Sequence, residues 1–157
     1  MRLWRLSAAM YADRFEGGYG FTNDGRWNSR GQPVTYCSTG PALCVVERLV
    51  HIQDAALLPD DTMLVSLDAP DGIDVDVVQL GDLPTGWRSD QRTTRLRGDA
   101  WLRARSACLL SVPSAVVPVA DSNDRNILIN HLHPDVGGIV TTRIEAFEYD
   151  VRLFAFG

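Results

Sequence analysis

The chain has 157 residues, of which 45% are hydrophobic and 22% are charged, and it carries a formal net charge of −5. A chain of this size and composition is expected to fold as one domain, here residues 1–157, around a single core. The acidic balance argues against direct binding to DNA or RNA, because that affinity comes from Lys and Arg on phosphates.

The first part of the chain predicts two strands separated by a long loop. Residues 1–6 favour a strand and lack the apolar run of a secretion signal, and no later stretch has the ~20 apolar residues of a membrane span. We therefore expect a soluble, cytoplasmic protein. Residues 12–32 hold five glycines and predict a long loop, which in a compact domain is usually functional. Residues 34–37 predict the second strand.

A helix is predicted to begin at Pro41, because proline favours the first helical turn and Ser38 and Thr39 are available as caps. Its predicted buried stripe follows the i, i+3, i+4 pattern and comprises Ala42, Val45, Val46, Leu49 and Val50. The helix is expected to end near residues 54–56. Glu47 lies at the margin of this stripe, with His51 one turn later.

The rest of the chain predicts more strands than helices. Residues 88–105 favour a weak helix broken by Gly98, and residues 84–86 a turn. Residues 107–117 contain Pro113, which predicts two short strand pieces or an edge strand. Further strands are predicted at 63–67, 73–80, 127–129 and 147–153. This order favours an α+β fold with a mixed or largely antiparallel sheet.

Four residues in the first third carry candidate chemistry. Arg26 is either a surface arginine or an anion clamp. Tyr36 and Ser38 are two residues apart on a strand and share one face. Either Tyr36 lies at the rim of the sheet and Ser38 caps the following helix, or both side chains line a pocket beside Arg26. Glu47 is either a solvated helix residue that contacts His51 or a catalytic carboxylate.

Other reactive residues are less informative. His131 and His133 have the spacing of strand ligands but no third ligand is evident, so no metal site is expected. The three cysteines, an odd number without zinc spacing, predict reduced and mostly buried thiols. Ser114 lacks a nucleophile elbow, and its hydroxyl is expected to bond to the backbone or to a ligand.

Taken together, these motifs resemble the RES domain family, the toxins of RES–Xre toxin–antitoxin modules. The resemblance runs from Trp4 to about Ile139, and the chain departs from the usual pattern at Asp24 and His131. It rests on Gly25-Arg26-Trp27-Asn28, Tyr36-x-Ser38, Glu47, Val112-Pro113-Ser114, the stretch from Asn126 to Asn130, and His133-Pro134-Asp135.

The resemblance implies a fold similar to ADP-ribosyltransferases, with NAD+ as a substrate and no separate cofactor or metal. It implies that Arg26 and Glu47 are catalytic, with Glu47 facing the ribose. The implied substrate contacts are Tyr36, Ser38, Ser114, Asn28 and Asn130.

The implied reaction is cleavage of the nicotinamide–ribose bond of NAD+, which arrests growth. Water or phosphate could accept the sugar. Two alternatives remain open: transfer of one ADP-ribose to a cellular protein, and a non-catalytic module that binds a nucleotide or a partner. The implied partner is an Xre-type antitoxin, which would supply the DNA binding that an acidic chain lacks.

Overall fold

A computed structural model describes residues 1–52 and 59–154 of the chain. Seven strands form one mixed sheet in the order β4-β5-β6-β2-β1-β3-β7, in which only β4 and β5 are parallel. This confirms the expected α+β class. The strands are β1 (Arg2–Ala8), β2 (Val34–Ser38), β3 (Thr62–Asp68), β4 (Val75–Val77), β5 (Leu109–Pro113), β6 (Arg125–Asn130) and β7 (Val140–Ala146).

Both faces of the sheet are apolar at its centre, because alternate residues of the central strands point to opposite sides. One face carries a cluster with Cys37 and Ile127, and the other carries a cluster with Val34 and Leu128. The second cluster includes three tryptophans, Trp27, Trp87 and Trp101, and it is covered by a helix.

Three α-helices accompany the sheet in the described residues: α1 (Gly18–Thr22), α2 (Pro41–Leu49) and α3 (Arg92–Ala104). The short helix α1 lies within the predicted loop. As predicted, α2 begins at Pro41, but it ends at Leu49, and residues 54–56 lie outside the described residues. Its buried side chains are Leu43 and Cys44, neither of which belongs to the predicted stripe, whose members are half-buried or exposed.

Two predictions failed because tertiary contacts override local residue preferences. Gly98 does not break α3, which runs continuously through it. Pro113 lies neither on an edge strand nor in a strand break: β5 pairs with both β4 and β6. The proline is tolerated because it ends β5, beyond Ser111, the last residue that pairs with β4.

The predicted strand at 147–153 is also wrong. The real edge strand is β7, which pairs with β3 as far as Ala146 opposite Met63. Phe147 makes one further backbone bond to Thr62, the first residue of β3, and among residues 1–52 and 59–154 no further strand pairs with this segment. Its aromatic residues instead pack on one another, with the rings of Phe147 and Tyr149 5.0 Å apart.

The predicted strand at 73–80 shortens to β4, and Leu80–Asp82 form a 3-10 turn. Within the described residues, none of the helices is long and apolar enough to cross a membrane.

Candidate active site

A chain of polar contacts crosses from the sheet to α2. Ser38 ends β2 and pairs with Asn126 of β6. The Ser38 hydroxyl donates to Asn126 Oδ1 at 2.9 Å, and Asn126 Nδ2 donates to Glu47 Oε1. Because an amide side chain offers one acceptor and two donors, Asn126 fixes the Glu47 carboxylate against the sheet.

The sequence explains why Glu47 faces the sheet. Residues three and four apart share one side of a helix, and Glu47 follows the buried residues Leu43 and Cys44 by four and three positions. Its carboxylate is half-buried and bonded to Asn126, whereas His51 lies in the exposed turn after α2. The geometry therefore favours the catalytic interpretation of Glu47 over a solvated helix residue.

The Glu47 contacts lie at a seam in the sheet. Strand β1 pairs with β3 over seven residues, but its register with β2 is a single pair, Trp4 opposite Ser38. Helix α2 covers this point, and the Cys44 thiol contacts the Trp4 carbonyl oxygen at 3.5 Å. Ser38 is thus placed where the two halves of the sheet meet.

Arg26 supplies the cation of the site. Its Nη1 and Nη2 donate to the carbonyl oxygens of Trp87 and Arg88, both at 3.0 Å, and its guanidinium lies 5.7 Å from the centre of the Trp87 ring. Burial lowers the pKa of Arg26, and the negative charge of Glu47 opposes that shift. Neutral carbonyls orient this cation without cancelling its charge, so it is suited to bind an anion.

The loop that carries Arg26 is built around the half-buried Tyr36 and the fully buried Asn28. The Tyr36 hydroxyl accepts from the Trp27 backbone N–H and donates to Asn28 Oδ1 at 2.7 Å. Burial raises the pKa of Tyr36 above its ordinary value. Asn28 is fully buried, and its amide donates to the carbonyls of Asn23 and Ser29. The polar atoms of Tyr36 and Asn28 therefore position the loop.

Gly25 is required by the same packing. A Cβ at this position would lie 2.3 Å from Asn28 Oδ1 and 2.5 Å from the Tyr36 hydroxyl. Such contacts are too short for real atoms, so only glycine fits before Arg26.

Helix α3 holds this loop from the other side, through residues that were not predicted from the sequence. Thr94 Oγ1 donates to the Arg26 carbonyl at 2.9 Å, and Arg95 Nε donates to that of Gly25 at 3.0 Å. The Asp99 carboxylate accepts from the backbone N–H of Ser29 at 2.7 Å and from its hydroxyl at 2.6 Å.

Gly98 lies between these contacts, and a Cβ there would be 1.8 Å from the Trp27 carbonyl oxygen. The four helix residues stand at positions i, i+1, i+4 and i+5, which is one helical face. The sequence signal for this contact was a polar helix face that includes a glycine. The four residues of that face are Thr94, Arg95, Gly98 and Asp99.

Ser114 reaches the site indirectly. It is 1% exposed, and its hydroxyl accepts from the backbone N–H groups of Val116 and Val117 at 3.0 and 2.9 Å. The turn so formed presents the Ala115 carbonyl to Arg88 Nε at 2.8 Å. Since the Arg88 carbonyl in turn accepts from Arg26, Ser114 belongs to the support of Arg26.

The structure does not bring Asn130 to Glu47. Asn130 lies opposite Val34, at the other end of the β2–β6 ladder from Ser38 and Asn126. Four residues along a strand span about 13 Å. Asn130 is fully buried, donates to the Leu102 carbonyl of α3, and accepts from the backbone N–H of Leu132.

The remaining candidates are occupied elsewhere. His131 Nε2 lies 2.8 Å from Thr35 Oγ1, and His133 Nδ1 accepts from the Asp135 backbone N–H. All three cysteines are buried, and burial raises the pKa of Cys44 and of Cys108 to about 11, which disfavours the nucleophilic thiolate. In the parts of the chain that the structure covers, no three His, Cys, Asp or Glu side chains cluster as metal ligands would.

Comparison with known proteins identifies the family. The RES domain model matches residues 2–151, so the chain belongs to the RES domain family, as its motifs indicated. A protein named Toxin Res from Pseudomonas putida is 38% identical over 155 residues, covering 98% of this chain and 100% of the relative. One named Prs ADP-ribosylating toxin, from a Sphingobium species, is 33% identical and covers 96% of this chain and 94% of the relative.

The fold has also been seen before. A chain in the crystal structure of the M. tuberculosis MbcT-MbcA toxin-antitoxin complex superposes with a TM-score of 0.67 and covers 93% of this chain and 83% of that one. At 16% identity, this likeness supports the α+β fold.

Proposed function

We propose that this RES domain protein is the toxin of a toxin–antitoxin module and cleaves the nicotinamide–ribose bond of NAD+. One observation carries the proposal. A half-buried carboxylate, Glu47, is fixed by Asn126 within electrostatic range of a half-buried cation, Arg26, which donates to two backbone carbonyls. A positive and a negative group placed in this way match a substrate that has both a diphosphate and a sugar that becomes cationic.

Glu47 would act on the ribose. When the bond between the ribose C1′ and the nicotinamide nitrogen breaks, the bonding pair stays on nicotinamide, which leaves as a neutral ring. The sugar develops oxocarbenium-like positive charge, as in glycoside hydrolysis. A carboxylate already aimed at that charge stabilises the transition state without reorganising. Water then adds to C1′ and loses a proton.

Arg26 would bind the diphosphate. A guanidinium offers planar, charge-assisted donors to phosphate oxygens, and the rigid support of Arg26 reduces the cost of orienting it. Ser38 is the last residue of β2, and its hydroxyl orients the Asn126 amide that holds Glu47. Tyr36 contributes by holding the loop that carries Arg26, since its hydroxyl bonds to Trp27 and Asn28.

The decisive experiment measures nicotinamide release from NAD+ by the purified chain and by Glu47→Gln. We expect the variant to lose at least about 100-fold in kcat, the usual scale for removing one electrostatic group from a transition state, with an unchanged circular dichroism spectrum. Glu145→Gln is the matched control, because this glutamate pairs with Arg143 on the edge strand β7. Equal activity of wild type and Glu47→Gln would refute the role of Glu47 and favour a non-catalytic binding module.

The second candidate is transfer of a single ADP-ribose to a protein. It is favoured by the Sphingobium relative, whose name is Prs ADP-ribosylating toxin. Both reactions use the same bond cleavage and differ in the acceptor. NAD+ labelled in its adenylate half separates them in a cell extract: label on a protein band indicates transfer, free ADP-ribose indicates water, and a phosphorylated ADP-ribose indicates phosphate.

The partner belongs to the same proposal. Relatives along nearly the whole chain are named as toxins, and a chain of the same fold comes from a toxin-antitoxin complex. We infer a cognate antitoxin of the Xre type that covers the site and provides the DNA binding. Co-expression with the small protein encoded next to the toxin should restore growth and yield a stable complex in size-exclusion chromatography.

A further inference from the structure

An open cavity of about 350 Å³ is lined by Trp87 and Arg88, the two residues whose carbonyls bind Arg26. The rest of its lining comprises Leu80, Leu83, Pro84, Thr85, Gly86 and Pro118. Glu47 does not line it. The cavity therefore adjoins the candidate active site without including the group proposed to act on the ribose.

The segment 87–88 connects the cavity to Arg26. Its two carbonyls accept from Arg26, and both of its residues line the cavity. The segment also carries a second cation, because the charge of Arg88 acts on Arg26 and lowers its pKa, after the larger effects of burial and Glu47. Arg88 is exposed, and its Nε donates to the Ala115 carbonyl.

This segment is held by short backbone contacts. The N–H of Trp87 donates to Pro84 and that of Ser89 donates to Gly86, which has a left-handed φ of 84°. Glycine adopts that conformation at little cost. The turn is thus shaped before any ligand arrives, and a preformed cavity loses less conformational entropy on binding.

The chemical groups occur in a definite order across this region. The negative charge of Glu47 acts on Arg26, Arg26 donates to the Arg88 carbonyl, and Arg88 lines the cavity. A nicotinamide dinucleotide presents its own groups in the matching order: the reacting ribose, the diphosphate, and the adenosine. We propose that the cavity beside Trp87 and Arg88 binds the adenosine half of NAD+, with Arg88 as a second diphosphate contact. This inference rests on the proposed function.

The test uses Thr85, an exposed residue of the cavity lining whose enlargement does not disturb the core. Thr85→Trp fills the cavity, and Thr85→Ser is the matched control that leaves it open. Binding of ADP-ribose, measured by calorimetry, should weaken at least about 10-fold in Thr85→Trp, which corresponds to a loss of about 1.4 kcal/mol in binding free energy. It should stay unchanged in Thr85→Ser. Because ADP-ribose has no nicotinamide, this measurement needs no catalysis.

Turnover supplies the second readout. Thr85→Trp should raise KM for NAD+ with little change in kcat, since the lost contacts are remote from the reacting bond. Nicotinamide mononucleotide has no adenosine, so its kcat/KM should be low in the wild type and equal in both variants. Arg88→Ala should also raise KM for NAD+ and weaken ADP-ribose binding. Thr85→Phe, a smaller change that fills the cavity from the same exposed position, takes the place of Thr85→Trp if that variant fails to fold.

The outcomes separate the two proposals. ADP-ribose binding that is equal in wild type, Thr85→Trp and Arg88→Ala overturns the adenosine site, whatever the activity. Normal ADP-ribose binding that Thr85→Trp abolishes supports the site even if no nicotinamide is released, in which case the proposed reaction fails alone. A wild-type chain that neither binds ADP-ribose nor cleaves NAD+ refutes both.

Discussion

Replacing Gly98 by alanine tests whether α3 positions Arg26. Gly98 is in the interior of α3 with its backbone against the loop, where an alanine Cβ would lie 1.8 Å from the carbonyl oxygen of Trp27 and 2.7 Å from its carbonyl carbon. Since real Cβ atoms essentially never come within 3.0 Å of such atoms, the loop must retreat by more than about 1 Å, and the displaced residue is the direct neighbour of Arg26.

Two effects of opposite sign decide the stability of Gly98→Ala. Alanine is favoured over glycine inside a helix by about 1 kcal/mol. Overpacking at a fixed backbone costs typically about 1–3 kcal/mol. The clash involves backbone on both sides, which cannot rotate away, so we expect a net destabilisation and a lower Tm.

The larger expected effect is on activity. A displacement of about 1 Å in a positioning group can cost about 100-fold in rate. Because Thr94, Arg95 and Asp99 tie the loop to the same helix, Arg26 cannot stay in place while Trp27 moves. Gly98→Ala should therefore lose most of its kcat/KM for NAD+ while remaining folded.

The assay is nicotinamide release together with thermal unfolding, and Gly137→Ala is the control. Nothing lies within 4 Å of a Cβ built on Gly137, so that variant should match the wild type in both measurements. If Gly98→Ala instead raises Tm and keeps full activity, helix propensity prevails and the reasoning about the loop is refuted.

Three further predictions follow from single contacts. Asn126→Leu removes the donor that holds Glu47 and should lower kcat about 10- to 100-fold, the scale of a lost hydrogen bond to a charged group; unchanged kcat in steady-state assays would contradict this. Ser114→Ala should raise KM for NAD+, and the effect should vanish in an Arg26→Ala background if Ser114 acts through Arg26. Burial lowers the pKa of His131 from 6.5 to about 4, so the unfolded chain binds a proton that the folded chain rejects, and stability should rise from pH 4 to 6.5. Chemical denaturation across this range should give a flatter curve for His131→Gln.

Local patterns in the sequence were sufficient for much of the sheet. Strands β1, β2, β3 and β6 were predicted within a few residues, because each is a short apolar run bounded by turn residues. The predictions failed where pairing with a neighbouring strand determines whether a segment forms a strand. The segment 147–153 alternates well but pairs with no strand in the described part of the chain, whereas Val140–Ala146 is mostly exposed and pairs with β3.

The motif residues could be named as site candidates from the sequence, but their contacts could not be predicted. Arg26 and Trp87 are 61 residues apart, Thr94 and Arg26 are 68 apart, and Asn126 and Glu47 are 79 apart. Local periodicity relates residues only a few positions apart, so it cannot predict contacts between such distant pairs.

These contacts divide the site into two supports. Glu47 is fixed to the sheet through Asn126, whereas Arg26 is fixed to α3 through Thr94. The distance between the carboxylate and the cation therefore depends on where α3 lies on the sheet.

Asn130 gives a physical basis for that dependence. Its amide donates to the Leu102 carbonyl in α3 at 3.1 Å, while its backbone belongs to β6, the strand that also carries Asn126. One strand thus anchors both supports, Glu47 at one end and the helix that holds Arg26 at the other. A fully buried residue about 13 Å along the strand from Asn126 can in this way control the geometry of the site without contacting the substrate.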